Sequence, residues 1–327
     1  MNIDIHTHFI PREFIELARQ DPVKYQARVE GKEGLEIIRH DQGYSYPLTP
    51  GFFDVEARLK DMDRRNIDID VISVAPTVYY YWASAALALE IARVCNDSAH
   101  RMAQARPDRL QPMATVPMQD VSLAMAELER VVKCYGFKYV AIGTTIEGRN
   151  LDEPYFRPFF KKAVELGMAV IFHPYYVGAR PHLGDYYLTN LIGNSLDTTI
   201  CAARLVLGGV LQECPASKFI FVHGGGYMPY QRGRLQHGFA VRPEPKVVLN
   251  ETPPARYFDS LYYDTITHWG PALQFLVESH GPNKVMLGSD YPFDMADPDP
   301  VKTVKSLNLN SDDEKMVLGI NVENLFK

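Results

Sequence analysis

The sequence predicts an α/β fold of the (β/α)₈ TIM-barrel type, because short apolar segments alternate with stretches of helical length along the 327-residue chain. Several segments are nearly continuous apolar runs, such as MAVIF at residues 168–172 and KFIFV at residues 218–222. Such runs are typical of strands that are covered on both faces. Eight segments have strand character, and eight is the number that closes such a barrel. They are Ile3–Thr7, Ile69–Val74, Leu110–Val116, Tyr139–Gly143, Ala169–His173, Phe219–His223, Leu261–Asp264 and Val285–Ser289.

The stretches between the strands predict helices at Val55–Arg65, Ala85–Ala105, Ser122–Tyr135 and Pro154–Leu166. Residues 20–53 break the alternation and predict a small insertion, or lid, after the first strand. Residues 175–200 and 227–258 are also long for barrel loops, and long rim loops often carry function. We expect a single barrel domain over residues 1–327.

Composition and charge exclude several classes of partner. The formal net charge is −6 and no run of Lys or Arg appears, so nucleic acid is not an expected partner. No segment has the apolar length of a membrane span, and the first residues lack the pattern of a secretion signal. The four cysteines are scattered without metal-finger spacing, which favours a reducing compartment. We therefore expect a cytoplasmic protein.

Five polar residues stand at the ends of four predicted strands. His6 and His8 are two residues apart in the first strand and therefore share a face. His173, His223 and Asp290 end or follow the fifth, sixth and eighth strands. Each alone has an ordinary structural interpretation, as a hydrogen-bonded core histidine or a turn aspartate. Together they lie where barrel active sites form, and imidazoles with one carboxylate suit zinc or a similar divalent ion.

Four motifs around these residues resemble the amidohydrolase superfamily. They are HTHFIP at residue 6, FHPYY around His173, FVHGGGYMPYQRGRLQHGF from residue 221 and LGSDYPF from residue 287. The HGGG motif and the GRLQHGF that follows it resemble one branch in particular, the aminocarboxymuconate-semialdehyde decarboxylase family. The resemblance extends over nearly the whole chain.

This resemblance implies a zinc-dependent, non-oxidative decarboxylase of an unsaturated or aromatic carboxylic acid from aromatic-compound degradation. His6, His8, His173 and Asp290 would be the metal ligands, with Mn²⁺ or Fe²⁺ as other possible ions. His223 would be the catalytic acid or base beside the metal, and Asp290 would also serve catalysis. The same scaffold also supports hydrolysis or hydration of a lactone, amide or enol acid, and this alternative stays open.

The resemblance also implies substrate-binding residues and a partner. Arg234 and Arg242 match positions that bind a substrate carboxylate, one of them across the interface of a homodimer with a shared active site. Trp82 matches an aromatic residue of the pocket, and Tyr46 stands where the family has a second carboxylate-binding arginine. This departure favours a substrate with fewer carboxylates, or one recognised through a hydroxyl group. For Arg234 and Arg242 the alternative is a surface ion pair, and for Trp82 it is ordinary loop packing.

Overall fold

The computed structural model describes residues 1–32, 34–175, 182–250 and 252–327. Thirteen strands lie within these residues. They are β1 (Ile3–Phe9), β2 (Ala27–Glu30), β3 (Ile37–His40), β4 (Ser45–Pro47), β5 (Ile69–Val74), β6 (Leu110–Ala114), β7 (Tyr139–Gly143), β8 (Thr145–Ile146), β9 (Arg149–Asn150), β10 (Ala169–His173), β11 (Lys218–Phe221), β12 (Tyr262–Asp264) and β13 (Val285–Met286).

Eight of these strands form one parallel sheet, in the order β1-β5-β6-β7-β10-β11-β12-β13. The segment after β13 then returns to β1. The Ile5 amide donates to the Leu287 carbonyl at 2.9 Å, and the His8 amide donates to the Tyr291 carbonyl at 2.7 Å. These main-chain bonds bring the two edges of the sheet together. The predicted (β/α)₈ TIM barrel is therefore confirmed.

Helices cover the outside of the sheet. They are α1 (Arg12–Gln20), α2 (Val55–Arg65), α3 (Ala85–Ala105), α4 (Val121–Tyr135), α5 (Arg157–Glu165), α6 (Ser195–Leu207), α7 (Val210–Glu213), α8 (Met228–Val241), α9 (Lys246–Leu249), α10 (Ala255–Phe258), α11 (Gly270–His280), α12 (Pro300–Lys305), α13 (Ser311–Lys315) and α14 (Asn321–Asn324). Their ends follow local sequence signals: Asp120 caps α4 by accepting from the Leu123 amide, and Gly136 ends that helix in the left-handed conformation. None of the helices in the described ranges is both long and apolar enough to cross a bilayer.

The predicted elements and the observed ones differ at a few places. The strand expected at Val285–Ser289 is only two residues long, because after Met286 the chain stops pairing with β12 and bonds to β1. The insertion at residues 20–53 contains β2, β3 and β4, which form a separate antiparallel sheet that we call the flap sheet. Of the segment at residues 175–200, residues 176–181 lie outside the described residues, and α6 begins at Ser195.

The prediction of a long loop at residues 227–258 was wrong. This segment contains α8, α9 and α10. The sequence of α8 hid the helix because its apolar residues do not share one face: Tyr230 and Val241 are exposed, whereas Phe239 is buried.

Two buried arginines tie α2 to the first two barrel strands. Arg58 lies 2.8 Å from the Asp70 carboxylate of β5 and also donates to the His8 carbonyl of β1. Arg65 donates to Asp4 of β1 at 3.3 Å. All four side chains are almost completely removed from solvent. A buried charge without its partner is costly, so each member of such a pair holds the other in place.

We expect Arg58→Met to lower the free energy of unfolding by about 3–5 kcal/mol, because the buried Asp70 carboxylate loses its hydrogen-bonded partner and keeps only Arg65, 3.8 Å away. Urea denaturation of the purified protein measures this loss. Arg106→Met is the matched control, since Arg106 pairs with Asp108 at the surface, and it should change the urea midpoint little. Equal, small changes in both variants would contradict the structural role of the buried pair.

Candidate metal centre

Four side chains converge at the carboxyl end of the barrel: His6 and His8 of β1, His173 of β10 and Asp290 after β13. The Nε2 atoms of His6 and His8 are 3.0 Å apart, and the Oδ1 atom of Asp290 lies 3.0 Å from Nε2 of His8 and 3.4 Å from Nε2 of His6. All four candidate ligand atoms lie within 4.8 Å of one another, and all four residues are buried. Below them β1 has a bulge between Asp4 and Thr7, a feature common beside active sites.

The outer nitrogen of each histidine is held by a neighbour. Nδ1 of His6 is 2.7 Å from Oδ2 of Asp264, and Nδ1 of His173 is 2.6 Å from the Pro174 carbonyl. The Ser73 hydroxyl donates to the Thr7 carbonyl, so its oxygen can accept from Nδ1 of His8 at 3.0 Å. Because these partners accept, each Nδ1 carries the hydrogen and each Nε2 keeps its lone pair for the centre of the cluster.

The electrostatics of the cluster suit a cation. Burial lowers the pKa of His8 to about 4, against the effect of the Asp290 carboxylate, and burial lowers the pKa of His173 well below its usual value. Burial opposes ionisation of Asp290, but the neighbouring imidazoles of His223, His8 and His6 hold its pKa well below the usual range. Burial would also lower the pKa of His6, but its bond to Asp264 and the nearby carboxylates raise it.

The neutral imidazoles and the ionised carboxylate are the forms that bind metal. Nε2 of His173 and Oδ1 of Asp290 are buried, and neither makes a hydrogen bond with a described residue. Such atoms are costly unless they have a partner, and a cation would be one. The donor set therefore forms a metal-binding site.

His223 lies beside this cluster. Its Nε2 is 3.7 Å from Oδ2 of Asp290, and its ring centroid is 5.1 Å from that of His173. It begins the HGGG turn, in which four consecutive residues have positive φ, from +55° at His223 to +63° at Gly226. A Cβ atom at Gly226 would lie 2.1 Å from the Ser195 carbonyl oxygen, so a side chain there would collide with backbone. The glycines therefore allow a sharp turn that places His223 over the cluster.

Asp264, which ends β12, is a functional candidate that the sequence analysis missed. Besides His6, its carboxylate accepts from the main-chain amides of His223 at 3.0 Å and Gly224 at 2.7 Å. The available signal was the one used for His173, a polar residue at the end of a buried strand. Asp264 ended the predicted strand Leu261–Asp264 and was assigned no role.

The predicted substrate-binding residues lie in different surroundings. Tyr46 belongs to the flap sheet, and its hydroxyl is hydrogen-bonded to Thr77. Its ring is 5.4 Å from that of Phe293, which is 5.2 Å from that of His8, so Tyr46 is two ring contacts from the cluster. Burial raises the pKa of Tyr46. A neutral hydroxyl therefore stands at the position that corresponds, by the resemblance, to an arginine of the family.

Trp82 donates from its indole N–H to the Gln26 side chain at 3.1 Å, and its ring packs on Tyr80. These contacts attach it to the residue that precedes the flap sheet.

The two candidate arginines are both exposed. Arg242 follows α8 and pairs with Glu244, with 3.1 Å between Nε and Oε2. Arg234 lies within α8, and no hydrogen bond or ion pair joins it to any residue in the described part of the chain. The surface ion pair considered for these positions therefore exists for Arg242 but not for Arg234 within the described ranges.

Comparison with known proteins identifies the family. Residues 3–325 match the model of a family described as amidohydrolase. The chain is 31% identical to the 2-amino-3-carboxymuconate-6-semialdehyde decarboxylase of Dictyostelium discoideum, over 96% of this chain and 88% of that protein. It is 23% identical to the 2-keto-4-carboxy-3-hexenedioate hydratase of Sphingobium sp., over 89% of this chain and 83% of that protein.

A solved structure has the same fold. It is the dihydroxybenzoic acid decarboxylase of Polaromonas sp. JS666 with bound manganese and the inhibitor 2-nitroresorcinol. The TM-score is 0.81 at 23% identity, and the match covers 99% of this chain and 96% of that one. The extent of the family match, together with the barrel and its cluster of histidines and aspartate, shows that this chain belongs to the amidohydrolase family.

Proposed function

We propose that this protein is a metal-dependent, non-oxidative decarboxylase of an unsaturated or aromatic carboxylic acid in aromatic-compound degradation. The observation that carries the proposal is the position of His223, an imidazole 3.7 Å from the carboxylate of a metal-binding cluster at the carboxyl end of the barrel. The similarity to a 2-amino-3-carboxymuconate-6-semialdehyde decarboxylase over 96% of the chain supports it. Residues 1–327 would form a single domain in the cytoplasm, with residues 20–53 as an insertion that covers the site.

The proposed metal is zinc, with His6, His8, His173 and Asp290 as its ligands. Ligands about 2.1 Å from an ion lie about 3.4 Å apart at tetrahedral angles and about 3.0 Å apart at octahedral angles. The separations of 3.0–3.4 Å among the ligand atoms of His6, His8 and Asp290 suit either arrangement. Manganese is therefore a second candidate, supported by the manganese in the Polaromonas enzyme, and Fe²⁺ a third.

The bound metal would supply positive charge that orients the substrate and stabilises negative charge as the reaction proceeds. His223 would donate its proton to the unsaturated carbon that carries the carboxylate. The bond between that carbon and the carboxylate then breaks, CO₂ leaves, and the bonding electrons restore the unsaturated system. His223 would regain its proton from water, so one carboxylate and one proton give one product and one CO₂.

Tyr46 supports a substrate recognised partly through an uncharged group. Its hydroxyl is bonded to Thr77 and offers no positive charge for a second carboxylate. We propose that Tyr46, Trp82 and the arginines Arg234 and Arg242 contribute to the substrate pocket. A substrate with one carboxylate and a ring hydroxyl fits this set better than a dicarboxylate does.

Hydration is the second candidate function, favoured by the similarity to the hydratase of Sphingobium sp.. The same cluster would then activate water for addition to an enol acid, with His223 again moving the proton. Hydrolysis of a lactone or amide would use the same groups.

We expect faster CO₂ release from a dihydroxybenzoic acid than from 2-amino-3-carboxymuconate-6-semialdehyde, which carries two carboxylates. This activity should be lost after metal removal by a chelator and restored by Zn²⁺ or Mn²⁺. Removal of the metal takes away the charge that holds the substrate. Two quantities are measured in parallel: CO₂ release, and incorporation of ¹⁸O from labelled water into the organic product. Incorporation without CO₂ would show the hydratase reaction, and full activity in chelator would exclude both metal-dependent functions.

His223→Ala should lose about 10²- to 10⁴-fold in turnover while it keeps most of its metal, because it removes the proton donor and leaves the ligands in place. His6→Ala should lose metal and activity together. Steady-state kinetics and metal analysis of both variants make the comparison. A metal-replete His223→Ala variant with nearly normal turnover would assign proton transfer to another group.

We also propose a homodimer with a shared active site, in which Arg234 enters the pocket of the partner subunit. Arg234 is exposed and has no ion-pair partner among the described residues, whereas Arg232 on the same helix pairs with Asp259 at 2.6 Å. Exposed apolar residues accompany it: Tyr230 is 79% exposed and Val241 is 61% exposed. A charged group among apolar surface residues suits an interface that also binds an anion.

Arg234→Ala should lower kcat/KM by roughly 10- to 150-fold with the metal retained, because it removes a charge-assisted bond to the substrate carboxylate. Arg232→Ala is the control on the same helix and should retain most of kcat/KM. Subunits of Arg234→Ala mixed with His223→Ala should recover about a quarter of wild-type activity, since half of the dimers are then mixed and each has one intact pocket. Verified subunit exchange without recovery would exclude a shared site.

A further inference from the structure

We propose that Asp264 is a positioning residue that joins the metal site to the proton-transfer residue through a single carboxylate. The inference rests on the proposed roles of His6 as a metal ligand and His223 as the proton donor. Asp264 is completely buried at the end of β12, between the strand that carries His6 and the turn that carries His223.

Asp264 accepts four hydrogen bonds, two at each oxygen. Oδ2 accepts from Nδ1 of His6 at 2.7 Å and from the amide of His223 at 3.0 Å. Oδ1 accepts from the amides of Gly224 at 2.7 Å and Ile266 at 3.1 Å. A carboxylate offers about four lone-pair sites, so its accepting capacity is fully used. Both oxygens of the Asp264 side chain must therefore be hydrogen-bond acceptors.

The bond to His6 fixes the ligand form of that imidazole. With the hydrogen held at Nδ1, the lone pair at Nε2 is directed toward His8 and Asp290. The carboxylate also makes the ring more basic, which strengthens a bond to a cation.

The bonds to residues 223 and 224 fix the HGGG turn. Both residues have positive φ, +55° at His223 and +61° at Gly224, and the first is unfavourable for a residue with a side chain. Two amides held by one carboxylate offset that cost and set the direction in which the His223 side chain leaves the turn. That direction gives the distance of 3.7 Å to Asp290.

Asparagine cannot replace Asp264 in this arrangement. If its amide oxygen accepts from Gly224 and Ile266, its NH₂ group faces two donors, Nδ1–H of His6 and the His223 amide. His6 can then satisfy the NH₂ group only by moving its hydrogen to Nε2, which removes the lone pair from the metal site. If the side chain is flipped, the NH₂ group faces the amides of Gly224 and Ile266 and the turn loses its anchor.

Ser73 is the comparison that separates the two effects. It holds Nδ1 of His8 as Asp264 holds Nδ1 of His6, but its hydroxyl donates to Thr7 and not to the HGGG turn. Loss of Ser73 should therefore weaken metal binding alone. Glu127 is the control for a buried carboxylate away from the site, since it pairs with Arg130 and Asn96 in the outer helices.

The experiment compares Asp264→Asn, Ser73→Ala and Glu127→Gln with the wild type. Zinc and manganese affinities are measured by competition with a chelator, which requires no substrate. The imidazole NMR signals of His223, assigned by their loss in His223→Gln, report its surroundings in the same samples. The turnover number is then measured at saturating metal.

We expect Asp264→Asn and Ser73→Ala each to lose about 10- to 100-fold in metal affinity, and Glu127→Gln to keep the wild-type affinity even if its melting temperature falls. Only Asp264→Asn should shift the His223 signals, and only its turnover should stay about tenfold or more below wild type at saturating metal. Wild-type affinity in Asp264→Asn would overturn the proposal. The proposal would also be overturned if saturating metal fully restored the turnover of Asp264→Asn and its His223 signals were those of the wild type.

Gly288→Ala tests the same link with the carboxylate retained. A Cβ atom at Gly288 would lie 2.9 Å from Cβ of Asp264 and 3.1 Å from Cβ of His6, so it must displace both side chains. We expect weaker metal binding and shifted His223 signals, and unchanged values of both would contradict the proposal even if Asp264→Asn does not fold. If the wild type has no decarboxylase activity but the variants still show these changes in metal affinity and His223 signals, the proposed reaction is refuted and the positioning role of Asp264 stands.

Discussion

The closure of the barrel between its first and last strands is the constraint on which the site depends. His6 and His8 lie on β1, whereas Asp290 is nearly 300 residues away in sequence, and only the return of residues 287–291 to β1 brings them together. That return is secured from below, because Asp4 accepts from both the amide and the hydroxyl of Ser289. The Asp290 amide then donates to the His6 carbonyl at 2.9 Å, so these two candidate ligands are also joined through their main chains. The contact between β1 and residues 287–291, which we call the seam, therefore closes the barrel and also assembles the candidate metal site.

The interior of this seam is unusually charged for a protein core. Asp4, Arg58, Arg65 and Asp70 are buried together under the cluster, and the guanidinium of Arg65 stacks 4.1 Å above the Tyr291 ring. Such groups are expensive to bury and stabilise little beyond offsetting their own desolvation. What they provide is a fixed position for β1, α2 and the segment around Asp290. A site whose ligands come from distant parts of the chain needs positional accuracy more than it needs net stability.

The sequence was sufficient for the barrel and for the residues of the cluster, and the reasons are physical. Buried parallel strands require apolar runs, and polar residues that end such runs stand out, as His173 and Asp290 do. The flap sheet escaped prediction because its strands are short and partly exposed, and α8 escaped because exposed and buried apolar residues are mixed along it. Asp264 escaped for another reason. Its position at the end of a predicted strand was visible, but its importance lies in four hydrogen bonds to residues about 40 and 258 positions away and to its neighbours. No local pattern records those bonds.

The separation of the flap sheet from the barrel has a consequence for how such proteins diversify. Its three strands pair only with one another in the described structure, and the candidate ligands all lie outside residues 27–47. Tyr46 nevertheless lies within two ring contacts of His8. Under the proposed role of Tyr46, one part of the substrate selectivity and the candidate metal ligands are therefore encoded in different stretches of the gene. A recombination event, or a designed cassette exchange, that replaced these twenty-one residues would then alter selectivity while it left the candidate ligands unchanged.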